Sequence, residues 1–592
     1  MEDRFRYRAL TAVAIAALIY GATLMAPPHL MDDVDAVQAQ IARTMLESGD
    51  WVTARLNGVA YLEKSPLKYW MMAVSFAVLG VSDWAARLPV VLSILALVFL
   101  VVRMGQWAFG ERPGFYAGLA LGTSIGLFLF TRILIPDVIL TGTIALALWG
   151  LLRALDEEEA RPRLWAGVMA VSMGTGLLLK GLIALVFPVA AGGLWLLFTG
   201  QLFARRTWQR LHPFSGTALL LLVAAPWHIL ATLRNPPYFE FAMESGPGQY
   251  RGFFWFYLFN EHILRFLDRR WPRDYNTVPR YLFWLFHLLW FFPWSAYFPG
   301  LARLRYRGAD RASRMRLMCL CWAGFILVFF TFSTTQEYYS MPAYPALALL
   351  LCCVMAEGSR WVDVANRVVA GVAALALGAV VFILAKVWNL PAPGDISGAL
   401  TQNPELYTLS LGHMGDLTLN SFAYLRTPLA LAGVAFLVGV VAAWRLRGRW
   451  AYLGLALMMV VFLNAARVAM VAFDPYLGSH ALAVALREAP PGRVVVDNQY
   501  YAFSSVFFYA GLKEARLLNG RVNNLEYGSY APGAPEVFID DEEFRRLWSE
   551  RERTYILVEK PEVGRIERLA APDRFYLVKE SGGKYLFVNQ KP

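Results

Sequence analysis

The sequence predicts a polytopic α-helical membrane protein that carries a C-terminal soluble α/β domain. Composition is the first observation: of 592 residues, 57% are hydrophobic and only 17% are charged, which is too apolar for a soluble chain. Second, runs of about 20 apolar residues recur, and each is long enough to cross roughly 30 Å of hydrocarbon. Third, these runs stop after residue 473, where short β-rich pieces alternate with polar helical stretches.

We predict thirteen membrane-spanning helices in residues 1–473. The run 9–27 follows "MEDRFRYR" and imitates a signal peptide, but no small-residue cleavage site follows it, so we expect a retained first helix. The run 69–82 is short for a crossing and predicts an interfacial helix. The predicted spans are 9–27, 86–108, 113–132, 137–155, 163–180, 181–199, 214–233, 279–299, 315–333, 341–357, 366–388, 428–445 and 450–472.

The distribution of basic residues predicts the topology. The net charge is +11, and the basic residues concentrate in short loops such as "RRTWQR", "RLRYRGADRASRMR" and "WRLRGR". This is typical of cytoplasmic loops, so no nucleic-acid partner is expected. With thirteen spans and a cytoplasmic N-terminus, the outer face receives segment 28–85, the "RILIPD" corner, the loop 234–278, the "STTQEYY" turn and everything after 473.

The segment 474–592 predicts a small α/β domain on the outer side. Pieces such as "RVVVD" and "TYILVE" are typical of strands, "DDEEFRRLWSERE" is typical of a helix, and the last piece predicts a hairpin that turns at "SGGK". The four cysteines lie inside apolar runs, which indicates packing rather than a disulfide framework. Because the chain lacks a P-loop, a dinucleotide fingerprint and Cys/His metal spacing, nucleotide-dependent chemistry has no sequence support.

Acidic residues at two outer corners are the first candidates for function. Asp32, Asp33 and Asp35 directly follow the first span, where the simplest interpretation is that they cap the next helix. Arg132 and Asp137 lie in the "TRILIPDVIL" corner, where an aspartate after a proline is also an ordinary helix start. Composition alone favours the capping interpretation at both corners.

Basic residues supply the second set of candidates. Lys180 lies between two apolar stretches, where a lysine is costly unless it is paired or reaches the membrane surface. The long aromatic loop 234–278 gathers Glu261, His262 and Arg265, and a loop of that length favours a functional role. If these corners converge, the resulting cavity suits a substrate with an apolar tail and an anionic head. This is the chemistry of sugar transfer from a polyprenyl phosphate.

Several spaced motifs resemble one family of enzymes. In order, these are "IARTMLESGDWVTARLNGVAYLEKSPLKYW", "RILIPD", "LLLKGLIALVFP", "APWHILATLRNP", "FNEHILRF", "FFPWS" and "YYSMPAYPALALLL". This succession is similar to the lipid A aminoarabinose transferases and to the protein O-mannosyltransferases, which are C-type glycosyltransferases. The resemblance implies a bacterial inner-membrane enzyme with a helical membrane domain, a polyprenyl (undecaprenyl) phosphate sugar donor and a periplasmic α/β tail.

The resemblance also implies roles for individual residues. Asp33 resembles the catalytic carboxylate of the first loop, with Asp32 and Asp35 as rivals because "DDVDAV" departs from the family motif, and Asp137 matches the second acid. The remaining implied assignments are donor phosphate binding by Lys64, Lys180 and Arg265, a place in the cavity for Tyr61 and Tyr339, and a possible divalent metal beside Glu63 and His262.

Alternatives remain open for the motif "YLEKSPLKYW" and for the whole chain. Lys64 and Lys68 could instead contact lipid head groups. A hydrogen-bonded pair is the simpler interpretation of Glu63 and His262. A transporter or flippase for a polyprenyl-linked sugar shares the amphipathic cavity. The acceptor is lipid A, a glycan or a protein, and the expected oligomeric state is a monomer. The expected domains are 1–473 and 474–592.

Overall fold

The computed structural model describes residues 2–272, 278–333, 335–407, 409–570 and 574–591. Apolar runs in the N-terminal part form helices that are joined by short polar turns, as their length and composition predict. These helices are α1 (Glu2–Tyr20), α2 (Asp35–Ser48), α3 (Leu67–Leu79), α4 (Asp83–Phe109), α5 (Glu111–Gly122), α6 (Ile125–Thr131), α7 (Asp137–Leu155), α8 (Pro162–Lys180), α9 (Ile183–Phe198), α10 (Arg205–Leu211), α11 (Pro213–Arg234), α12 (Arg280–Trp290), α13 (Arg311–Phe332), α14 (Tyr344–Glu357), α15 (Arg360–Val387), α16 (Arg426–Arg445) and α17 (Arg449–Leu477).

Irregular helices and one small hairpin complete the membrane part. The first outer loop contains strands β1 (Arg55–Leu56) and β2 (Val59–Ala60), which pair antiparallel. In the loop 234–278, Phe254–Leu264 forms a π-helix. The 3-10 helices are Ala22–Leu24, Trp294–Arg303, Glu337–Ala343, Ile396–Ala399, Pro404–Leu406, Gly412–Asp416 and Ser421–Leu425.

Eight helical segments of the described residues are long and apolar enough to cross a membrane, or nine if the bent pair α5 and α6 is one span. Shorter apolar helices cover Arg8–Leu24, Leu67–Leu79 and Ile183–Phe198. The chain is therefore a multi-pass membrane protein, whereas the count of thirteen spans stays a prediction. Helix α3 has 13 residues, and a rise of about 1.5 Å per residue makes it shorter than the hydrocarbon core.

Two spans that were predicted as continuous are broken. Helices α5 and α6 are bent by 49°, and at the break the hydroxyls of Thr123 and Ser124 donate to backbone carbonyls of the preceding turn. The predicted span 279–299 divides into α12 and the 3-10 helix Trp294–Arg303. Pro293 precedes this 3-10 helix, and proline lacks the N–H group that a continuous helix requires.

The C-terminal domain is a mixed six-stranded sheet with helices. Its strands are β3 (Arg493–Asp497), β4 (Arg516–Leu518), β5 (Phe538–Ile539), β6 (Thr554–Glu559), β7 (Tyr576–Ser581) and β8 (Lys584–Val588), in the spatial order β5-β4-β3-β6-β8-β7. Pairs among β3, β4, β5 and β6 are parallel, whereas β8 pairs antiparallel with β6 and β7. The helices are α18 (His480–Glu488), α19 (Ser504–Ala510), α20 (Asn523–Ser529), α21 (Asp541–Ser549) and α22 (Val563–Ala570), with 3-10 helices at Tyr500–Phe503 and Lys560–Glu562.

The predicted hairpin at "SGGK" is confirmed, and its turn approaches the membrane part closely. Gly582 lies in this turn with a φ of 63°, and a Cβ atom there would lie 1.7 Å from the carbonyl oxygen of Pro475. Only glycine allows both this backbone conformation and this contact. The β7–β8 hairpin therefore packs directly on the end of α17, which continues past the predicted boundary at residue 473.

Asp32 joins the first outer loop to the C-terminal domain. Its carboxylate accepts hydrogen bonds from the Lys584 ammonium at 2.7 Å, the Ser479 hydroxyl at 2.5 Å and the Ser505 backbone N–H at 2.7 Å. Asp32 and Lys584 are each only 9% exposed. A buried carboxylate with these three donors fixes the loop against the domain.

Removing Lys584 should leave the Asp32 carboxylate buried without its cation. We expect Lys584→Met to lower the free energy of unfolding by about 3 kcal/mol, measured as a lower apparent melting temperature of the protein in detergent. Lys579→Met is the matched control, because Lys579 is exposed on the neighbouring strand β7. Equal melting temperatures for the two variants would contradict this role of the ion pair.

Candidate active site

A cavity of about 370 Å³ lies where several of the segments predicted to be outer meet. The turn after β2, the facing ends of α7 and α8, the π-helix Phe254–Leu264 and the 3-10 helix Glu337–Ala343 contribute its polar wall. Every predicted site residue except Asp33 and Tyr61 lines it. The polar lining residues are Glu63, Lys64, Ser65, Asp137, Lys180, Tyr257, Glu261, His262, Arg265, Ser333 and Tyr339.

The rest of the lining is apolar. Leu182, Ile183 and Val186 contribute from the first turns of α9, and aromatic rings contribute from α13 and from the end of the 234–278 loop segment. The remaining apolar lining residues are Ile263, Phe266, Leu267, Phe329, Phe330 and Pro342. A cavity with charged groups and an apolar wall at a membrane helix end can hold an amphipathic molecule that has an anionic head.

Asp137 and Lys180 form an ion pair at the facing ends of two packed helices. Asp137 is the first residue of α7 and Lys180 is the last residue of α8, so each charge lies at the helix end whose dipole favours it. Lys180 Nζ lies 2.5 Å from Asp137 Oδ1 and 4.7 Å from the centre of the Tyr339 ring. The lysine is thus paired and contacts an aromatic face, which offsets the cost of its burial.

Glu63 and Lys64 form a second ion pair, on the turn that follows β2. The Tyr61 hydroxyl lies behind the cavity wall and donates to Glu63 Oε2 at 2.9 Å. Burial raises the pKa of the Glu63 carboxyl, but Lys64, Arg270 and Arg265 lower it to about 2. Burial lowers the pKa of Lys64, but Glu63, Glu261 and Tyr339 together outweigh this and raise it above its ordinary value. Both groups are therefore charged at neutral pH.

Arg265 belongs to a third set of paired charges. It donates to Glu261 Oε2 at 2.9 Å and to the Tyr339 hydroxyl at 3.2 Å. The other oxygen of Glu261 accepts from Arg270 Nε at 2.5 Å, and both Glu261 and Arg270 are buried. The aromatic loop thus presents one arginine to the cavity and uses a second one behind it to hold the shared carboxylate.

His262 is positioned by the backbone on two sides. Its Nδ1 lies 2.6 Å from the Tyr257 carbonyl oxygen, and its Nε2 lies against Gly181, where a Cβ atom would be 2.1 Å away. Gly181 has a φ of 71° and ends α8. Burial lowers the pKa of His262 and favours the neutral imidazole. The contact with Gly181 connects the π-helix to the segment that carries Lys180.

The three aspartates of "DDVDAV" have different surroundings. Asp32 is engaged by the C-terminal domain, as described above. Asp35 is buried as the first residue of α2 and accepts from the Leu134 N–H at 2.9 Å, beside a separate small cavity that Arg132 also lines. Asp33 is exposed, and no hydrogen bond among the described residues uses its carboxylate. Asp33 does not line the main cavity, so its catalytic role stays a prediction.

Asp33 has a distinctive backbone and electrostatic environment. Its φ is 68°, and its N–H donates to the Tyr501 carbonyl at 2.9 Å and to the Ser504 hydroxyl at 3.1 Å. Desolvation by the surrounding protein raises the pKa of Asp33 and the neighbouring Asp32 raises it further, although Lys584 opposes this. An aspartate with a raised pKa is a stronger proton acceptor than an ordinary one.

The described residues provide no set of ligands for the divalent metal predicted beside Glu63 and His262. Glu63 and His262 line the same cavity, but the carboxylate of Glu63 is engaged by Lys64 and Tyr61, and His262 Nδ1 faces a carbonyl. No group of three or more His, Cys, Asp or Glu residues that could hold a metal occurs among the described residues. These residues fit a hydrogen-bonded site better than a metal site.

The interpretation of Lys68 as an open head-group contact is wrong. Lys68 is 3% exposed and donates to the Gln38 side chain and to the Leu134 carbonyl at 3.0 Å. It lies in the first turn of α3, which packs against α2 and not only against lipid. Burial lowers the pKa of its ammonium well below the ordinary value. Lys68 therefore holds the first loop together.

The site also contains residues that the motifs did not indicate. Arg270 and Asn524 connect the carboxylates of Glu63 and Glu261, and the Tyr257 hydroxyl contacts that of Ser65. Two arginines, Arg269 and Arg270, follow Arg265 closely in the aromatic loop, and the sequence does not distinguish between them. Asn524 comes from the C-terminal domain, and no local pattern marks it.

Comparison with known proteins places the chain beside membrane sugar transferases. The profile of the family described as dolichyl-phosphate-mannose-protein mannosyltransferase matches residues 63–230. An undecaprenyl phosphate-alpha-4-amino-4-deoxy-L-arabinose arabinosyl transferase of Pectobacterium atrosepticum is 27% identical over 357 residues, covering 57% of this chain and 60% of that protein. A protein of the same name from Erwinia tasmaniensis is 25% identical over 553 residues, which cover 91% of each chain.

Two solved structures share the whole fold. The crystal structure of ArnT from Cupriavidus metallidurans bound to undecaprenyl phosphate has a TM-score of 0.77 and 23% identity, and the alignment covers 98% of both chains. The apo state of that protein gives a TM-score of 0.76 and covers 98% of this chain and 97% of that one.

The fold and the charged cavity define a polytopic membrane protein with a C-terminal sheet domain, and its fold is that of the Cupriavidus protein. Within this class, the chain is similar in sequence to the undecaprenyl phosphate-alpha-4-amino-4-deoxy-L-arabinose arabinosyl transferases and in fold to ArnT from Cupriavidus metallidurans. The resemblance that the spaced motifs indicated is therefore confirmed.

The contact between Gly181 and His262 generates a prediction. Gly181→Ala should destabilise the protein by about 2 kcal/mol or more, because a Cβ atom is strained at this φ and meets the imidazole. Gly193→Ala is the control, since a Cβ atom at Gly193 in α9 meets nothing within 4 Å. Apparent melting temperatures measure the difference, and an unchanged value for Gly181→Ala would show that His262 is not held against α8.

Proposed function

We propose that this chain is an integral membrane glycosyltransferase that moves a sugar from a polyprenyl (undecaprenyl) phosphate donor to a lipid A, glycan or protein acceptor. The main support for the proposal is the composition of the cavity, which is lined on one side by Lys64, Lys180 and Arg265 and on the other by apolar side chains. A polyprenyl phosphate has the matching chemistry, an anionic head and a long hydrocarbon tail. The undecaprenyl phosphate bound to the Cupriavidus protein of the same fold supports this choice of donor.

The cations of the cavity are suited to a departing phosphate. During transfer, an acceptor oxygen attacks the anomeric carbon of the sugar, and the bond from that carbon to the phosphate oxygen breaks. The polyprenyl phosphate leaves with both bonding electrons, so negative charge accumulates on the phosphate. Lys64, Lys180 and Arg265 stabilise this charge, while the carboxylates of Glu63 and Asp137 hold the two lysines in place.

Asp33 is the proposed acceptor of the proton that a hydroxyl acceptor releases. Its raised pKa and its carboxylate without a hydrogen bond among the described residues favour it over Asp32, which the C-terminal domain engages. Asp35 remains a rival, because it begins α2 close to the Leu134 corner.

The proposed cellular arrangement follows from topology and resemblance. We place the chain in the bacterial inner membrane as a monomer, with residues 1–473 as the transferase domain and 474–592 as a periplasmic domain. Basic loops such as "RRTWQR" support a cytoplasmic position for the opposite helix ends. The cavity and the sheet domain then share the periplasmic side.

Substitution of Lys64 tests donor binding at the level of one residue. We expect Lys64→Ala to weaken binding of undecaprenyl phosphate by about 10- to 150-fold, since a charge-assisted contact in a partly shielded site is lost. Lys64→Arg should recover part of the affinity. Lys513→Ala is the control, because Lys513 is an exposed lysine of the C-terminal domain. Titration in detergent measures all variants, and equal affinities for Lys64→Ala and Lys513→Ala would contradict the donor site.

Asp33 provides the test of chemistry. We expect Asp33→Asn to abolish transfer of labelled sugar from undecaprenyl phosphate while donor binding survives, because an amide cannot accept the proton. In the parent protein, the transfer rate should fall at acidic pH as Asp33 becomes protonated. Because the pKa of Asp33 is raised, the midpoint of this fall should lie above the ordinary aspartate pKa of about 3.9.

The same assay separates the competing assignments. Full activity in Asp33→Asn with loss in Asp35→Asn would transfer the role to Asp35. A parent protein that moves the labelled lipid across a vesicle membrane without consuming it would be a transporter and would refute the transferase. Mass spectrometry of lipid A, surface glycans and envelope proteins from cells with and without the chain identifies both sugar and acceptor.

A further inference from the structure

Helix α20 of the C-terminal domain lies directly on the membrane part, beside the cavity. A Cβ atom at Gly528 would lie 2.0 Å from the Ala60 carbonyl oxygen in β2, so the helix backbone touches the first-loop hairpin. On the other side, the Tyr527 ring stacks on Phe256 of the π-helix with centroids 4.1 Å apart, and its hydroxyl donates to the Gly252 carbonyl at 3.0 Å. Contacts to both outer loops fix the position of α20.

Asn524, on the first turn of α20, uses both ends of its side-chain amide at the site. Its Nδ2 donates to Glu63 Oε2, and its Oδ1 accepts from Arg270 Nη2 at 2.6 Å. A carboxylate and a guanidinium on opposite sides require one donor and one acceptor from the residue between them. Asparagine meets this requirement, whereas aspartate at neutral pH offers only acceptors.

The two partners of Asn524 each hold a cation of the cavity. Glu63 accepts from Asn524 and Tyr61 through Oε2, which leaves Oε1 facing the Lys64 ammonium. Arg270 donates to Glu261, and Glu261 in turn accepts from Arg265. One amide from the C-terminal domain therefore connects the ion pairs of Lys64 and Arg265.

We propose that Asn524 is a positioning residue that sets the orientation of Lys64 and Arg265, so that the C-terminal domain completes the donor phosphate site. The inference rests on the proposed function for the identity of the ligand. The claim that Asn524 positions Lys64 through Glu63 does not need the ligand to be known, because it is inferred from the contacts among the described residues. Asn524 lines no part of the cavity itself, so its effect on the ligand is indirect.

Two substitutions separate orientation from general packing. Asn524→Ala removes both hydrogen bonds, and we expect about 10-fold weaker binding of undecaprenyl phosphate with little change in melting temperature. Asn524→Asp keeps the shape but places a second carboxylate against Glu63. Gln590→Ala is the control, because the Gln590 amide lies in the same domain and donates to the distant Arg551 carbonyl.

The pH dependence of Asn524→Asp is a signature of its contact with Glu63. Two adjacent carboxylates raise the pKa of one another, so protonation relieves their repulsion as the pH falls. We expect the binding defect of Asn524→Asp, relative to the parent at the same pH, to be smaller at about pH 5.5 than at about pH 8. The charged and titratable groups that face Glu63 in the parent are Tyr61, Lys64, Lys68, Tyr69, Arg265 and Arg270.

A second readout does not depend on the ligand. Acetic anhydride labels neutral amines, and mass spectrometry of the full chain gives the labelling rate of each lysine. In the parent, Glu63 keeps Lys64 protonated and slow to react. We expect Asn524→Ala to accelerate labelling of Lys64 several-fold and to leave Lys513 unchanged, because a loosened Glu63 holds the ammonium less firmly.

The outcomes distinguish the two claims. Weaker binding and faster Lys64 labelling in Asn524→Ala, with neither in Gln590→Ala, support the proposal. Parent-like binding and labelling in Asn524→Ala would overturn it. A third outcome separates the two claims: Asn524→Ala accelerates Lys64 labelling, but the parent protein does not bind undecaprenyl phosphate. This result would support the positioning role of Asn524 and refute the proposed donor.

Discussion

The cost of holding charge away from water governs this structure. Lys180 ends helix α8, Lys64 lies on the turn after β2, and Arg265 follows the π-helix Phe254–Leu264. An unpaired cation is expensive in such shielded places, and each of the three has a carboxylate partner. The pair of Lys180 and Asp137 joins the facing ends of α8 and α7, whereas Lys64 and Arg265 are paired within their own segments, with Glu63 and Glu261. The cavity is consequently charged and ordered before any ligand enters, which reduces the cost of reorganisation when a phosphate binds.

The C-terminal domain takes part in this order through two separate contacts. Lys584 and two serines engage Asp32 at the exit of α1, and Asn524 reaches Glu63 and Arg270 beside the cavity. The first contact fixes the loop that contains the candidate catalytic aspartates, and the second supports the candidate phosphate ligands. A domain held at both positions limits the motion of the outer face, so movements of the domain and of the site are expected to be coupled.

The sequence was most informative where a charged residue interrupts an apolar run. Lys180 was predictable because a lysine between apolar stretches needs a partner, whereas Asp137 was marked only by its place in a spaced motif. The hairpin at Gly582 followed from local turn chemistry. Residues such as Arg270 and Asn524 could not be predicted, because their contacts depend on how the long loop and the distant domain dock. The break between α12 and the following 3-10 helix was also missed, since hydropathy does not report helix continuity.

The central claim is that the charged cavity holds the phosphate of a polyprenyl chain. Photo-crosslinking tests it most directly, with an undecaprenyl phosphate analogue that carries a diazirine on the isoprene unit next to the phosphate. The account predicts cross-links to the peptide around Glu63 and Lys64, to the π-helix Phe254–Leu264 and to the start of α9, and predicts that unlabelled undecaprenyl phosphate competes with them. Cross-links confined to lipid-facing helices such as α15 and α16, without competition, would contradict the account.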